Sequence, residues 1–379
     1  MRDIFTGTRW FYTMMFITAV LFTFSIRSLI YHREAARITK LQGHDFAPFL
    51  VESAIMHDYA RQVAEGKTIG GRDARLGGME NIPVADQMLL GMEYFLGWSY
   101  RLKTRLAGKP VFTAAQTSCE DNPDFSAFIR VQIRAWGSLI GGLIFLWLVL
   151  LRVPWPWAAA ASVLYAVSPA AIARATGQDL VREGFAMPFI IGCLVLVAWI
   201  MRRPSPFKYV LLGFCVMAAF SFWDAPQMFF LLWSGLEIFR LLLGGTVSVK
   251  RRNIWLVIYV GAVLAAVLNS YQRNHGLIAS PTVMTAMPLL LLLMFTAGKM
   301  NLRRYWLLAG TALLGLVLLW KVLPGYGVNY SHFGSLIWAK LKFLNVKPLN
   351  PAALDFDARI LWTPAMHSAD LPMTFFYYP

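Results

Sequence analysis

Charge is scarce in this chain, and negative charge is scarcer still. Only 15% of its 379 residues are Asp, Glu, Lys or Arg, and 20 acids face 35 basic residues. With 58% hydrophobic residues and a mean hydropathy of +0.53, too little polar material remains to cover a soluble domain. A soluble fold is therefore excluded and a polytopic membrane protein indicated. Cysteine is as sparse: Cys119, Cys193 and Cys215, two of them inside apolar runs, support neither a disulfide framework nor a zinc site. No small-residue cleavage site follows the apolar run from Trp10 to Tyr31, so this run reads as an uncleaved first helix. Short-period repeats and low-complexity tracts are also missing. A net charge of +15 would suit nucleic acid, but the basic residues sit in short clusters between apolar runs. That pattern reports topology, and no nucleic-acid partner is expected.

What is present is a succession of apolar runs. Residues 10–31, 128–151, 154–172, 185–201, 209–223, 225–243, 254–270, 283–298 and 305–323 are long and apolar enough to be read as spans, about nine in all. The expected fold is an all-α transmembrane bundle. With the N-terminus inside, Arg2 and Arg9, then Arg152, Arg202, Arg203 and Lys208, Lys250 to Arg252, and Lys299, Arg303 and Arg304 all fall on the cytoplasmic side. Residues 1–323 then form one transmembrane module with a long non-cytoplasmic loop at 32–127, and 324–379 form a non-cytoplasmic loop or tail.

The unusual polar chemistry collects on that non-cytoplasmic side. The connector from Ser168 to Met187 holds Arg174, Asp179, Arg182 and Glu183 between two apolar runs, where charge is costly unless it meets a cavity or a partner. If a helix begins at Gln178, Asp179 and Glu183 share one face, as two carboxylates suited to a divalent cation or an acid/base pair would. The arginines suit a phosphate; the plainer reading is that they neutralise the adjacent acids at a helix end. In the first loop, Val51 to Gly66 has helical spacing, carries Glu52, His57 and Asp58, and reads as a helix lying in the membrane interface. A second interfacial helix is expected from Met88 to Trp98. Trp223 and Asp224 sit at the outer end of two spans, where an aromatic anchor and a helix cap account for them simply. His275, His332 and His367 show no ligand spacing.

These residues resemble the catalytic subunits of the oligosaccharyltransferase family, in the GT-C superfamily of glycosyltransferases that use lipid-linked donors. The likeness rests on the acid-led, glycine-closed helix Glu52 to Gly66, the connector Arg174 to Met187, the stretch Ser221 to Ala225, and the tail from Arg359 to Phe376. The family's Asp-x-Glu falls on Val181-Arg182-Glu183, with Asp179 standing in for the first acid. Its acceptor-engaging glutamate falls near Met366, beside His367. The resemblance implies a GT-C-like fold with a further helix beyond Pro379. It also implies transfer of a sugar or oligosaccharide from a polyprenyl phosphate or diphosphate to a peptide, lipid or glycan. Glu52, Asp179 and Glu183 would hold a divalent cation, Mg or Mn, and Arg174 and Arg182 would grip the phosphate. Trp223, Asp224 and His367 would contact substrate, and Glu52 or Asp58 would take the acceptor proton in an inverting reaction. A transporter or a non-catalytic scaffold is the reading from another class, but a transporter needs its charges near the bilayer midplane.

Overall fold

The computed structural model describes residues 4–42, 49, 52–69, 71, 73, 83–112, 123–173, 175–177, 179–243 and 245–296, with a few single positions beyond. The expected span 305–323 (apart from Gly310), Arg174, His367 and the side chain of Glu52 lie outside the described residues.

Every regular element among the described residues is helical. They run α1 (Ile4–Gln42), α2 (Glu52–Glu65), α3 (Val84–Gln87), α4 (Gly91–Leu106), α5 (Pro123–Leu150), α6 (Trp155–Val167), α7 (Pro169–Ala173), α8 (Arg182–Arg202), α9 (Pro206–Phe222), α10 (Pro226–Leu242), α11 (Val249–Leu268) and α12 (Ser270–Asn274). A 3₁₀ turn (Leu277–Ala279), a π-helical turn (Pro281–Ala286) and α13 (Met287–Thr296) follow. Among the described residues four helices are long and apolar enough to cross a membrane: Trp10–Ile38, Pro123–Leu150, Arg182–Arg202 and Val249–Leu268. Trp155–Val167, Pro206–Phe222 and Pro281–Thr296 are apolar but shorter. The chain is thus a polytopic helical membrane protein.

Small residues let the first long helices approach. α1 crosses α5 at Gly137, Gly141 and Gly142, where a Cβ on Gly137 would lie 2.6 Å from the Arg27 guanidinium. In lipid, where apolar burial gives helices no net drive to associate, such close approach supplies the dispersion that holds them. Arg27 is fully buried there, and its guanidinium donates to Tyr165 Oη at 2.9 Å and to Ser138 Oγ at 3.4 Å. α5 packs in turn on α8, α8 on α9, and α9 on α11.

The first-loop helices α2 and α4 pack on each other and on α5, burying Tyr59, Ala60, Val63, Met92 and Leu96. Gly97 makes this possible, since a Cβ there would meet the Ala60 carbonyl and the Val63 side chain at 2.6 Å. One expectation needs correction: the helix expected from Gln178 begins only at Arg182. Gly177 has φ +97°, a left-handed conformation that interrupts any helix through the connector. Asp179 and Glu183 are therefore not successive turns of one helical face.

Candidate active site

Antiparallel helix order brings distant segments to one end of the bundle. α8 starts where α9 ends and α10 begins, and α11 returns to the same level. A cavity of about 370 Å³ opens there, lined by Ser53 and Met56 of α2, Leu89, Asp179 to Glu183, Trp223, Asp224 and Tyr271. The basic residues Arg202, Arg203 and Lys208 occupy the opposite end of the α8–α9 pair.

Among the described residues the cavity wall carries three carboxylates, Asp179, Glu183 and Asp224, and one guanidinium, Arg182. Asp224 does not cap α10: the N-cap is Ala225, and no side chain makes a capping hydrogen bond. Arg182 reaches across the fold, its Nη2 lying 2.9 Å from Glu93 Oε1 on α4. Glu93 is fully buried, and burial pushes its carboxyl above the usual range while the Arg182 charge pulls it back. Tyr271 titrates high, at about 12, because burial and then the negative charge of Asp224 both disfavour its phenolate.

Side chains behind the wall fix the connector. Ser53 Oγ accepts from Leu180 N at 3.1 Å and donates to Leu180 O at 3.3 Å, tying the first turn of α2 to the residue after Asp179. On its other side, Arg130 Nη1 of α5 donates to Gly177 O at 2.6 Å. His57 is buried between the rings of Phe49 and Phe125 and lies 2.9 Å from Ser126 Oγ. Burial, and next the Arg130 charge, lower its pKa to about 4, so it stays neutral and packs.

The structure thus unites Asp179, Arg182, Glu183, Trp223 and Asp224 in one cavity. Glu52 begins α2 beside the cavity-lining Ser53. Asp58 is not among the lining residues: six positions along a helix turn it about 240° away and move it about 9 Å along the axis. Its carboxylate instead accepts from Gln62 at 3.3 Å. Among the described residues no three His, Cys, Asp or Glu side chains group as metal ligands. Sequence alone does not single out Ser53, Glu93, Arg130 or Tyr271. Two of these had a visible signal, a lone charge inside an apolar stretch: Glu93 in Met88 to Trp98, and Arg130 in Phe128 to Ile133.

The family model described as Dpy19: Q-cell neuroblast polarisation matches residues 72–363, most of the chain and all of the cavity except its α2 wall. The chain belongs to the Dpy19 family. That family comprises C-mannosyltransferases of the GT-C superfamily, so this Dpy19 chain is a membrane glycosyltransferase of the GT-C type. Membership supports the superfamily expected from the residues and lends no support to oligosaccharyltransferase-like specificity. Among curated proteins no sequence match is found.

Proposed function

We propose that the protein moves a single mannosyl group from a polyprenyl-phosphate carrier to a nucleophilic carbon of its acceptor, on the non-cytoplasmic side of the membrane. The observation that carries this reading is the convergence of Arg182, Asp179, Glu183 and Asp224 in one cavity at the end of the bundle remote from the basic clusters. By the preference of basic residues for the cytoplasm, that end faces away from it. Family membership favours mannose and a carbon acceptor over an oligosaccharide and an amide.

In this reading Arg182, and Arg174 from the same connector, hold the phosphate through charge-assisted hydrogen bonds. The acceptor carbon attacks the anomeric carbon. The bond from that carbon to the phosphate oxygen breaks, and polyprenyl phosphate leaves with the electron pair. The acceptor carbon then gives up its proton to a carboxylate, Glu52, whose helix position borders the cavity. A single displacement inverts the anomeric centre. Trp223, Asp224 and, from the tail, His367 are the proposed contacts to sugar and acceptor.

The proposal extends to a divalent cation, Mg or Mn, held by Asp179 and Glu183 with Glu52. The excess of carboxylates on the cavity wall supports it, and a bound cation would offset charge on the leaving phosphate. The test is to incubate purified protein with a short-chain polyprenyl-phosphate mannose and acceptor peptides, with mass spectrometry of the product. A carbon-linked hexose is expected. An oxygen- or nitrogen-linked product overturns the carbon acceptor, no transfer overturns the donor, and full activity in excess chelator overturns the cation.

A further inference from the structure

We propose that Glu93 is a positioning residue that keeps Arg182 available to the donor phosphate; this rests on the reading of Arg182 as a phosphate ligand given above. The cavity presents a difficulty for that ligand. Asp179, Glu183 and Asp224 line the same space, and a long, mobile guanidinium among three carboxylates is readily captured by one of them. A phosphate would then have to break an ion pair before binding. Glu93 removes the difficulty by engaging Arg182 from within the wall, at 2.9 Å between Oε1 and Nη2. A guanidinium is planar, so fixing one of its terminal nitrogens restricts the plane of the whole fork. Only one donor is used, and Nε has no hydrogen-bond partner among the described residues.

Arg182 is the first residue of α8, where the aligned peptide dipoles leave partial positive charge. A cation is disfavoured there unless an anion accompanies it. Glu93, with Glu183 in the same first turn, supplies that anion before the donor arrives, and the burial of Glu93 is tolerable because Arg182 is beside it. Arg182 also keeps 18% of its side chain exposed, whereas Glu93 has none, so only the arginine is within reach of a ligand.

The strut that carries Glu93 is itself closely packed. Two residues earlier, Gly91 lies so close to the Ser221 carbonyl that a Cβ would overlap it, and one residue earlier Met92 is fully buried. Helix α4 is thereby fastened to the end of α9, just before Trp223 and Asp224, while its glutamate fastens the start of α8. One first-loop helix sets the spacing between the two sides of the cavity.

The experiment measures binding of a short-chain polyprenyl phosphate to the full chain in detergent, and the donor KM in the transfer assay. It uses the wild type, Glu93→Gln, Glu93→Asp, Glu93→Ala, Arg182→Ala and the Glu93→Ala/Arg182→Ala pair. Loss of the acid in Glu93→Ala is expected to weaken phosphate binding about tenfold and raise the donor KM in parallel, with acceptor KM unchanged. Glu93→Gln keeps an oxygen facing Nη2 and should stay within about threefold of wild type. Glu93→Asp, one methylene short, should fall between the two. On the Arg182→Ala background, removing Glu93 should add nothing. Wild-type binding in Glu93→Ala overturns the inference, as does an equal loss on both backgrounds, the sign of a general packing defect. Should Glu93→Ala not fold, Glu93→Asp decides: binding equal to wild type overturns the proposal. If the wild type itself binds no polyprenyl phosphate, or Arg182→Ala binds it undiminished, the donor assignment fails instead.

Discussion

The two packed clusters of this protein solve opposite problems. In the cluster built from α8, α9, α10, α11 and α13, Cys193, Leu212, Phe220, Phe230, Ile254, Ile258 and Leu290 pack together. The buried polar groups of that half are mostly neutral, such as Gln272, which donates to Phe220 O at 2.8 Å, and Thr282, which donates to Gln227 O at 2.9 Å. Its single buried ionisable side chain among the described residues, apart from the cysteines, is Lys208, at the end away from the cavity. The cluster of α2, α4, α5, the start of α8 and the end of α9 instead surrounds Phe125, Phe185, Phe222 and Met92 with His57, Arg61, Glu93 and Arg130, all buried. Charge inside a membrane protein is costly and is retained where it performs a function. The first cluster provides a frame that lipid can tolerate; the second spends stability on a site.

If the division holds, substitutions in the two clusters fail in different assays. The largest effect is expected at Glu52→Gln, which removes the proposed base: turnover should fall about 10²- to 10⁴-fold with donor binding retained, as steady-state kinetics and a phosphate-binding titration would reveal. Phe230→Ala, in the apolar cluster, empties a fully buried site stacked on Phe220 at a ring separation of 5.5 Å. It should cost about 3–4 kcal/mol of stability in denaturation in detergent while the surviving folded protein keeps its donor KM. Ser53→Ala cuts both bonds to Leu180; a loss of about 1–2 kcal/mol is expected, together with a raised donor KM, because the connector carrying Arg182 loosens. A change in stability alone would move Ser53 out of the functional cluster.

The smallest effect concerns acid. His57 has a folded pKa of about 4 against about 6.5 for a free imidazole, so above pH 6.5 it is neutral in both states and its contribution is whole. As pH falls from 6.5 toward 4 the unfolded chain takes up the proton first and stability is lost, about 1 kcal/mol by pH 5.5. Melting curves from pH 7 to 5 should therefore slope less for His57→Gln than for wild type, and parallel slopes would refute a buried neutral imidazole.

Much of this is legible in the sequence. Hydropathy located the apolar helices because in lipid the backbone leaves few alternatives, and the cost of charge singled out the connector at 168–187. The same reasoning stopped short at Arg182. Its adjacent acids, Asp179 and Glu183, were the natural partners by sequence, yet Glu93 holds it from 89 residues away. Pairing across such a separation depends on how α4 seats against α9, which no local pattern encodes. Helix spacing likewise could not foresee that Gly177 would take a positive φ and postpone α8 to Arg182. Nor could amphipathicity distinguish a helix resting on lipid from α2, whose apolar face rests on α4 and α5.

The tie between Ser53 and Leu180 spans 127 residues of chain. During synthesis, α2 is made long before its partner, and a ribosome pausing anywhere between them leaves Phe49 and Met56 without the connector they pack beside. The site therefore comes into being late, once α8 has arrived and Trp223, Asp224 and Tyr271 have followed it. Chains released early carry the proposed base but no place for it to act.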